Sequence, residues 1–493
     1  MDRRAPRNRD RARVAWSATA LLTLLLGVGL ALTADASPRA PLAPLRLAVL
    51  EDPQANLDFV TIPARFQQGA FTPLSGTNLS LGSRRSPWWV RLDLPAVDPD
   101  SGQAWFLELE KGIIDQVDLY LPLVQPPGEW LQVAAGTLRP RPPEQEDFRS
   151  QVFRLPANLD WGRPCYLRLA CRLPLSMNLR LWSDDGLLTM VYRDSLVFGL
   201  LYGVMAAMIL FNLMMYFSLR DRVYLSYLAL VGSMLLAQVV MQGHLRSWLP
   251  MPSPTLPQLQ SFTMGCSLFF AAWFIRGFLL TPVNAPFWDK LLNVLMIMAV
   301  GVLFLSAMNR ADLALALGYA AAILGPIHAL ITGWVCLRRG FRPVGWFMLA
   351  WLAMLLGVLG FILGYLGLAP KLTLVLPASR TLGAVLLTFA LAHRVRELHQ
   401  EREQLAKSQR RYREMSMTDG LTGLYNRRYF ESRLASELDH ARRLENPLSL
   451  VMLDLDDFKA FNDRHGHLAG DQILKALAAV LRLSLREGDC ACR

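Results

Sequence analysis

At 493 residues the chain is long enough for about three domains, and 53% hydrophobic against only 18% charged residues is the balance of a membrane protein. The net charge of +11 does not mark a nucleic-acid partner, because the basic residues gather in the N-terminal segment and beside the last apolar span, as membrane topology requires. Cysteine usage excludes a disulfide framework. Cys165 and Cys171 would lie roughly 20 Å apart on one extended strand, Cys266 and Cys336 fall in apolar spans, and Cys490 and Cys492 lack the spacing of a metal site.

Residues 1 to 13 hold six arginines, Val14 to Thr33 is apolar, and Ala34-Asp35-Ala36 offers small residues for cleavage. Residues 1–36 read as a secretory signal peptide, with an uncleaved anchor as the alternative, and either exports the next domain. Residues 37–194 are polar, rich in proline and turn signals, and carry short alternating runs at Trp88 to Leu94, Trp105 to Leu109 and Gln116 to Leu121. Period-two alternation at this spacing predicts an antiparallel β-sandwich. The runs W-W-V-R-L-D-L, F-L-E-L and D-Q-V-D-L-Y-L, in that order, resemble the jelly-roll extracytoplasmic sensor of bacterial receptors with diverse intracellular signalling modules. That resemblance implies a carbohydrate-like periplasmic ligand. Trp88, Trp89, Trp105, Trp130 and Trp161 could stack on sugar rings, but their strand positions favour a place in the core.

From Ser195 the pattern changes to apolar spans near 195–217, 223–242, 258–280, 288–308, 311–336, 344–366 and 372–392, each long enough to cross about 30 Å of hydrocarbon. Seven crossings from an exported domain, the membrane domain of residues 195–392, place the C-terminus in the cytoplasm, and the resemblance to bacterial receptors implies the bacterial inner membrane. The loops agree: Arg220, Arg222, Arg276, Lys290, Arg338, Arg339 and Arg342 fall inside against Arg246, Arg310 and Lys371 outside. The run from Phe211 to Tyr227, with Gly243 after it, is similar to the first helix pair of the same receptors. Asn212 and His328 are the intramembrane polar residues that pose a functional question, with interhelical hydrogen bonding as the favoured answer.

Leu391, Val395, Leu398, Arg402, Leu405, Gln409 and Tyr412 alternate steps of four and three, the stripe of a short parallel coiled coil over residues 393–416. Such a segment implies a homodimer and a helical route from the membrane to the C-terminal domain.

Residues 417–493 carry the chemistry. The apolar run Leu450 to Leu453 reads as a buried strand that delivers Asp454, Asp456 and Asp457 at its C-terminal edge, where open α/β sheets bind ligands. Asp454 and Asp456 would face opposite ways, with Lys459 one helical turn further on. Phosphoryl chemistry needs hard cations on carboxylate and carbonyl oxygens and a cation aimed at phosphate.

The run D-L-D-D-F-K-A-F-N-D-R-H-G-H-L-A-G-D from Asp454 to Asp471, preceded by Thr418-Asp419-Gly420-Leu421-Thr422 and Asn426-Arg427-Arg428, resembles the first half of a GGDEF domain, the diguanylate cyclase family. The resemblance implies condensation of two GTP into cyclic di-GMP with two Mg2+ per active site. By the same resemblance Asp454 is the first metal carboxylate, Leu455 the carbonyl ligand, Lys459 the catalytic stabiliser of the transition state, and Asn462, His467 and Asp471 the guanine and nucleotide contacts. Arg486 and Asp489 match the R-x-x-D pair of the family's inhibitory product site. The glycine-rich motif that names the family, with its second metal carboxylate, is expected within a residue or two of Arg493; without it the 493 residues are expected to be inactive.

The reading is a multi-domain membrane protein: an exported all-β sandwich, an all-α seven-helix membrane domain, a coiled-coil linker and a partial α/β GGDEF domain. It implies a receptor that couples an extracytoplasmic signal to cyclic di-GMP synthesis. The alternative is a non-catalytic seven-transmembrane signalling receptor with a degenerate or truncated nucleotide-binding tail.

Overall fold

Alternation decides the N-terminal domain. In β4 (Trp88–Asp93), Val90 and Leu92 are buried between two sheets, while Trp89 and Arg91 project from the other face. The structure, a computed structural model, describes residues 45–493 except 75–77, 83–85, 96–102, 111–113, 127, 147, 172–174, 250–254, 342, 367–372, 416 and 487. The signal-peptide or anchor reading of residues 1–36, and Arg342 and Lys371 of the loop count, lie outside the described residues.

Eleven strands form two antiparallel sheets among the described residues. The first runs β2 (Thr72–Leu74), β1 (Arg46–Glu51), β4, β10 (Cys165–Ala170), β6 (Gln116–Pro122) and β7 (Trp130–Ala135). The second runs β3 (Asn78–Gly82), β11 (Leu175–Ser183), β5 (Trp105–Leu109), β9 (Gln151–Arg154) and β8 (Gln145–Glu146). Leucines such as Leu92, Leu107, Leu119 and Leu167 fill the space between them, each side chain contributing about 1.5–3 kcal/mol by leaving water. Of the tryptophans, Trp105 lies in this core with Trp161 edge-on at 6.0 Å. Trp89 and Trp130 instead join Phe59, Tyr120 and Tyr166 on the outer face of the first sheet, under α1 (Ile62–Gln67). Phe59 stacks on Tyr120 at 4.0 Å. Cys165 and Cys171 are both free and buried, and burial pushes the Cys165 thiol up to about 12.

The second sheet has no free outer face along β5. All five residues of that strand are buried, because α2 (Asp184–Leu219) starts directly after β11 and folds Leu187 and Met190 against Phe106, Val152 and Trp182. Glu108 is trapped there. Burial holds its carboxyl above the usual range, opposed by the hydrogen bond it accepts from Trp182 Nε1 at 2.8 Å. Arg149 pairs with Asp194 on α2, and its backbone carbonyl would stand 2.6 Å from a Cβ at Gly243, whose φ of +85° also requires glycine. Glu110, just past the end of β5, accepts hydrogen bonds from Asn178 Nδ2 at 2.6 Å and from Thr373 Oγ1 at 2.7 Å. Thr373 lies two residues before α10 (Val375–Met415).

Seven helices are long and apolar enough to cross a membrane among the described residues. They are α2, α3 (Arg222–Met241), α5 (Leu256–Leu279), α7 (Pro286–Ala307), α8 (Ala311–Arg338), α9 (Val344–Tyr365) and α10; short helices α4 (His244–Trp248) and α6 (Thr281–Asn284) lie in two connections. The first begins at Asp184 rather than near residue 195, because Ser183 Oγ accepts from Gly186 N–H at 3.3 Å and the first turn carries Asp184 and Asp185. Asn212 and His328 make interhelical bonds: Asn212 Nδ2 donates to Thr388 Oγ1 at 3.0 Å, and His328 Nε2 meets the Trp288 carbonyl at 3.0 Å. Tyr227 donates to the Ala384 carbonyl at 2.9 Å. Reporter fusions should give alkaline phosphatase activity at about residue 150 and cytoplasmic fluorescence after Arg222 and Leu405. High phosphatase activity after Leu405 would reverse the orientation.

The C-terminal unit comprises residues 394–493. Its helices are α11 (Arg427–Leu444), α12 (Phe458–His465) and α13 (His467–Ser484). The expected buried strand at Leu450 to Leu453 is not formed. Among the described residues nothing pairs with it, and Val451 and Met452 are 75% and 89% exposed. An extended run becomes a buried strand only when neighbours satisfy its backbone and cover its side chains.

Candidate nucleotide site

The first block, Thr418 to Arg428, folds as a tight turn organised by one carboxylate. Asp419 Oδ1 accepts from Thr422 N–H at 2.8 Å, Thr422 Oγ1 at 2.6 Å and Arg493 Nη1 at 3.0 Å. The Thr422 hydroxyl, then its N–H and Arg493, hold the Asp419 carboxyl down to about 2. Gly423 adopts φ +66° with Arg482 of α13 beside it, and Arg482 donates to the Thr422 carbonyl. Asn426 caps α11 by accepting from Tyr429 N–H at 3.0 Å.

A depressed carboxylate pKa adds stability that is complete above the unfolded value of about 4 and is lost as pH falls toward the folded value. Asp419→Ala should therefore raise amide hydrogen exchange across residues 417–426 about tenfold at neutral pH, the equivalent of roughly 1.4 kcal/mol for a partly exposed charge-assisted network. The difference between the variant and the parent should narrow as pH falls from about 4 toward 2. An unchanged exchange rate would show that the turn does not depend on this side chain.

The second block sets the candidate site residues. Asp454 is exposed and its Oδ1 accepts from the Leu455 backbone N–H at 2.9 Å. The Leu455 carbonyl meets the Phe458 N–H at a long 3.4 Å. Asp457 then takes φ +55° and starts α12, which places Lys459 in its first turn. The Lys459, His467 and Asp471 side chains make no hydrogen bond or ion pair among the described residues. Asn462 is different. Its Oδ1 is buried without a hydrogen-bond partner among the described residues and would lie 1.8 Å from a Cβ on Gly470 of α13. The break between the helices at Gly466, φ +85°, folds α13 back so that Asn462 and Gly470 meet.

A hard cation suits this donor set in kind. Asp454 offers a carboxylate and Leu455 a loosely held carbonyl, both oxygen, although no group of three or more acid, histidine or cysteine side chains forms a cage among the described residues. Mg2+ ordinarily keeps waters and takes substrate phosphates to complete its shell, so a sparse protein share is compatible with it. Arg486 and Asp489 are brought together through the backbone: Asp489 Oδ2 accepts from Arg486 N–H at 3.1 Å, leaving the guanidinium outside that turn.

Comparison with known families adds the decisive observation. Residues 416–493 match the profile for the diguanylate cyclase GGDEF domain, 194–394 that for 7TM diverse intracellular signalling, and 45–183 that for 7TMR-DISM extracellular 2. The chain joins the two 7TMR-DISM domains to a GGDEF domain. The receptor is similar to the "Probable diguanylate cyclase DgcC" of Escherichia coli, 42% identical over 91 residues that cover 18% of this chain and 24% of that protein. It is also similar to diguanylate cyclase DgcS of Shewanella oneidensis (46% over 85 residues, 17% and 29%) and diguanylate cyclase VdcA of Vibrio cholerae (45% over 97 residues, 20% and 26%). The chain thus spans about a quarter of the length of these curated relatives.

Within this GGDEF domain Asp419, Thr422, Gly423, Gly470 and Arg482 hold structural roles that sequence reasoning does not assign. The D-x-x-T spacing is a usable signal for the first pair, since a carboxylate three residues before a threonine can close a local turn. The Arg482 and Gly470 contacts carry no such local signal.

Proposed function

We propose that this receptor couples an extracytoplasmic signal to synthesis of cyclic di-GMP from two GTP molecules. The observation that carries the nucleotide half is the buried, unpartnered Asn462 Oδ1 held against Gly470. Guanine presents N–H groups along one edge, and an orphan acceptor is suited to receive one of them. Asp471, and His467 at the start of α13, stand in the same helix pair and complete the nucleotide contacts. Asp454 and the Leu455 carbonyl would hold Mg2+, which supplies charge neutralisation for the phosphates. Lys459, in the first turn of α12, steadies the charge that builds on the α-phosphate as the 3′-hydroxyl of the second GTP attacks, loses its proton to solvent and displaces diphosphate, so that two GTP give cyclic di-GMP and two diphosphates.

The receptor half rests on connectivity. Glu110 of the sensor grips Thr373, and the next helix runs from Val375 to Met415. On it Leu398 and Leu405 are exposed, at 40% and 64%, as a coiled-coil stripe is before a second copy covers it. A homodimer joined along that stripe brings two GTP sites together, with the sensor in the periplasm, the helices in the inner membrane and the output domain in the cytoplasm. A carbohydrate-like molecule is the ligand class for the sensor, and nucleic acid has no part.

The test is turnover of labelled GTP by membranes from cells that lack other cyclases, using a protein that carries the motif-bearing half of the domain beyond Arg493. Cyclic di-GMP formed from GTP with Mg2+, and no cyclic product from ATP, is the expected result; absence of product refutes the proposal. In that protein Arg486→Ala should relieve product inhibition by about tenfold in cyclic di-GMP, because a guanidinium fork on phosphate or guanine is lost, without raising the Michaelis constant for GTP. Unchanged cyclic di-GMP affinity in an Arg486→Ala, Asp489→Ala double variant would remove this product site.

A further inference from the structure

The membrane domain holds a part-open cavity of about 90 Å³ that the cyclase chemistry does not use. Residues of α3, α5, α7, α8, α9 and α10 line it. Small side chains leave the room: Ala271 and Ala272 on α5 face it, as do Ala321, Ala322 and Gly325 on α8. Pro326, inside α8, also lines it, and proline cannot donate the backbone hydrogen bond that would close that turn.

Three polar side chains break the apolar wall; Ser267 Oγ already donates to the Thr263 carbonyl at 2.9 Å, which leaves two donors. Arg380, in the second turn of α10, lines the cavity and makes no hydrogen bond or ion pair among the described residues. Trp351 of α9 lines the same cavity, is 2% exposed, and its Nε1 has no acceptor among the described residues. A cation in a helix bundle normally meets an acid or a carbonyl, and a buried indole N–H normally finds a partner. Here two such donors share one cavity, and neither is satisfied among the described residues.

We infer that this cavity binds a small carboxylate with a short apolar body, its carboxylate on the Arg380 guanidinium and Trp351 Nε1 donating a further hydrogen bond to the ligand. The guanidinium fork matches the planar, two-oxygen acceptor, while the alanine, leucine and methionine walls suit an alkyl body rather than a hydrated inorganic anion. The volume has room for several heavy atoms, the size of a short-chain carboxylate. Because Arg380 lies on α10, the occupant holds the same helix that Glu110 holds through Thr373.

Calorimetric titration of the purified full chain in nanodiscs tests this with butyrate as probe and butyramide as its uncharged counterpart. Butyrate should bind at least tenfold more tightly than butyramide, inorganic phosphate or palmitate. Arg380→Gln should weaken butyrate at least tenfold, Arg380→Lys less, and Ala271→Phe, which fills the cavity while leaving Arg380 in place, should also abolish binding. Equal affinity for butyrate and butyramide in the unaltered protein overturns the inference without reference to any variant. So does a preference for phosphate or palmitate, or full butyrate affinity in a folded Arg380→Gln or Ala271→Phe protein.

Discussion

Gly470→Ala should raise the Michaelis constant for GTP at least about tenfold in a protein that carries the complete GGDEF domain. The added methyl would stand 1.8 Å from Asn462 Oδ1, so the amide must rotate away, and the helix pair can accommodate this because the amide is the far end of its side chain. Losing one hydrogen bond to a base is worth about 1–1.5 kcal/mol, which is close to a factor of ten in binding. Turnover at saturating GTP should fall much less, since Asp454 precedes α12 and Lys459 stands in its first turn, and neither needs to move when the Asn462 amide rotates. Steady-state kinetics of the two proteins separates the effects. A Gly470→Ala enzyme with the parental Michaelis constant would mean that Asn462 does not touch the substrate.

The parts of this molecule that are legible in the sequence are those set by local pattern. Seven spans follow from runs of apolar residues, because a lipid core demands about twenty of them whatever surrounds the helix. The sandwich strands follow from alternation, yet alternation does not say which face is the core: Trp89 lies outward, covered by Phe59 and α1, a cover that no periodicity in β4 announces. The start of α2 at Asp184 is hidden because its first turns mix Asp184, Asp185, Arg193 and Asp194 with apolar residues, so the hydropathy signal rises only later. The exposed run at Leu450 to Leu453 has the composition of a strand, but strand formation is a property of neighbours rather than of the segment. Asn462 is legible through family resemblance; its lock on Gly470 is not, since it depends on how two helices fold about Gly466. In the sequence Arg380 and Trp351 belong simply to apolar spans, and only the packing of six helices puts their donors in one cavity.

The most direct test of the account is Asp454→Ala. Asp454 is the carboxylate proposed to hold Mg2+ at the end of the Leu450 to Leu453 run, and its exposed position next to the loosely held Leu455 carbonyl leaves both oxygens open to a cation. Phosphoryl transfer leans on such metals for charge neutralisation, and removing one preorganised electrostatic stabiliser typically slows turnover by about a hundredfold or more. Cyclic di-GMP formation should be measured from GTP and Mg2+ in membranes of cyclase-free cells, with the parent and the variant each carrying the motif-bearing half of the domain beyond Arg493. The account predicts steady synthesis by the parent and at least about a hundredfold less by Asp454→Ala at equal protein abundance; parental turnover in the variant, or no synthesis by the parent, would contradict it.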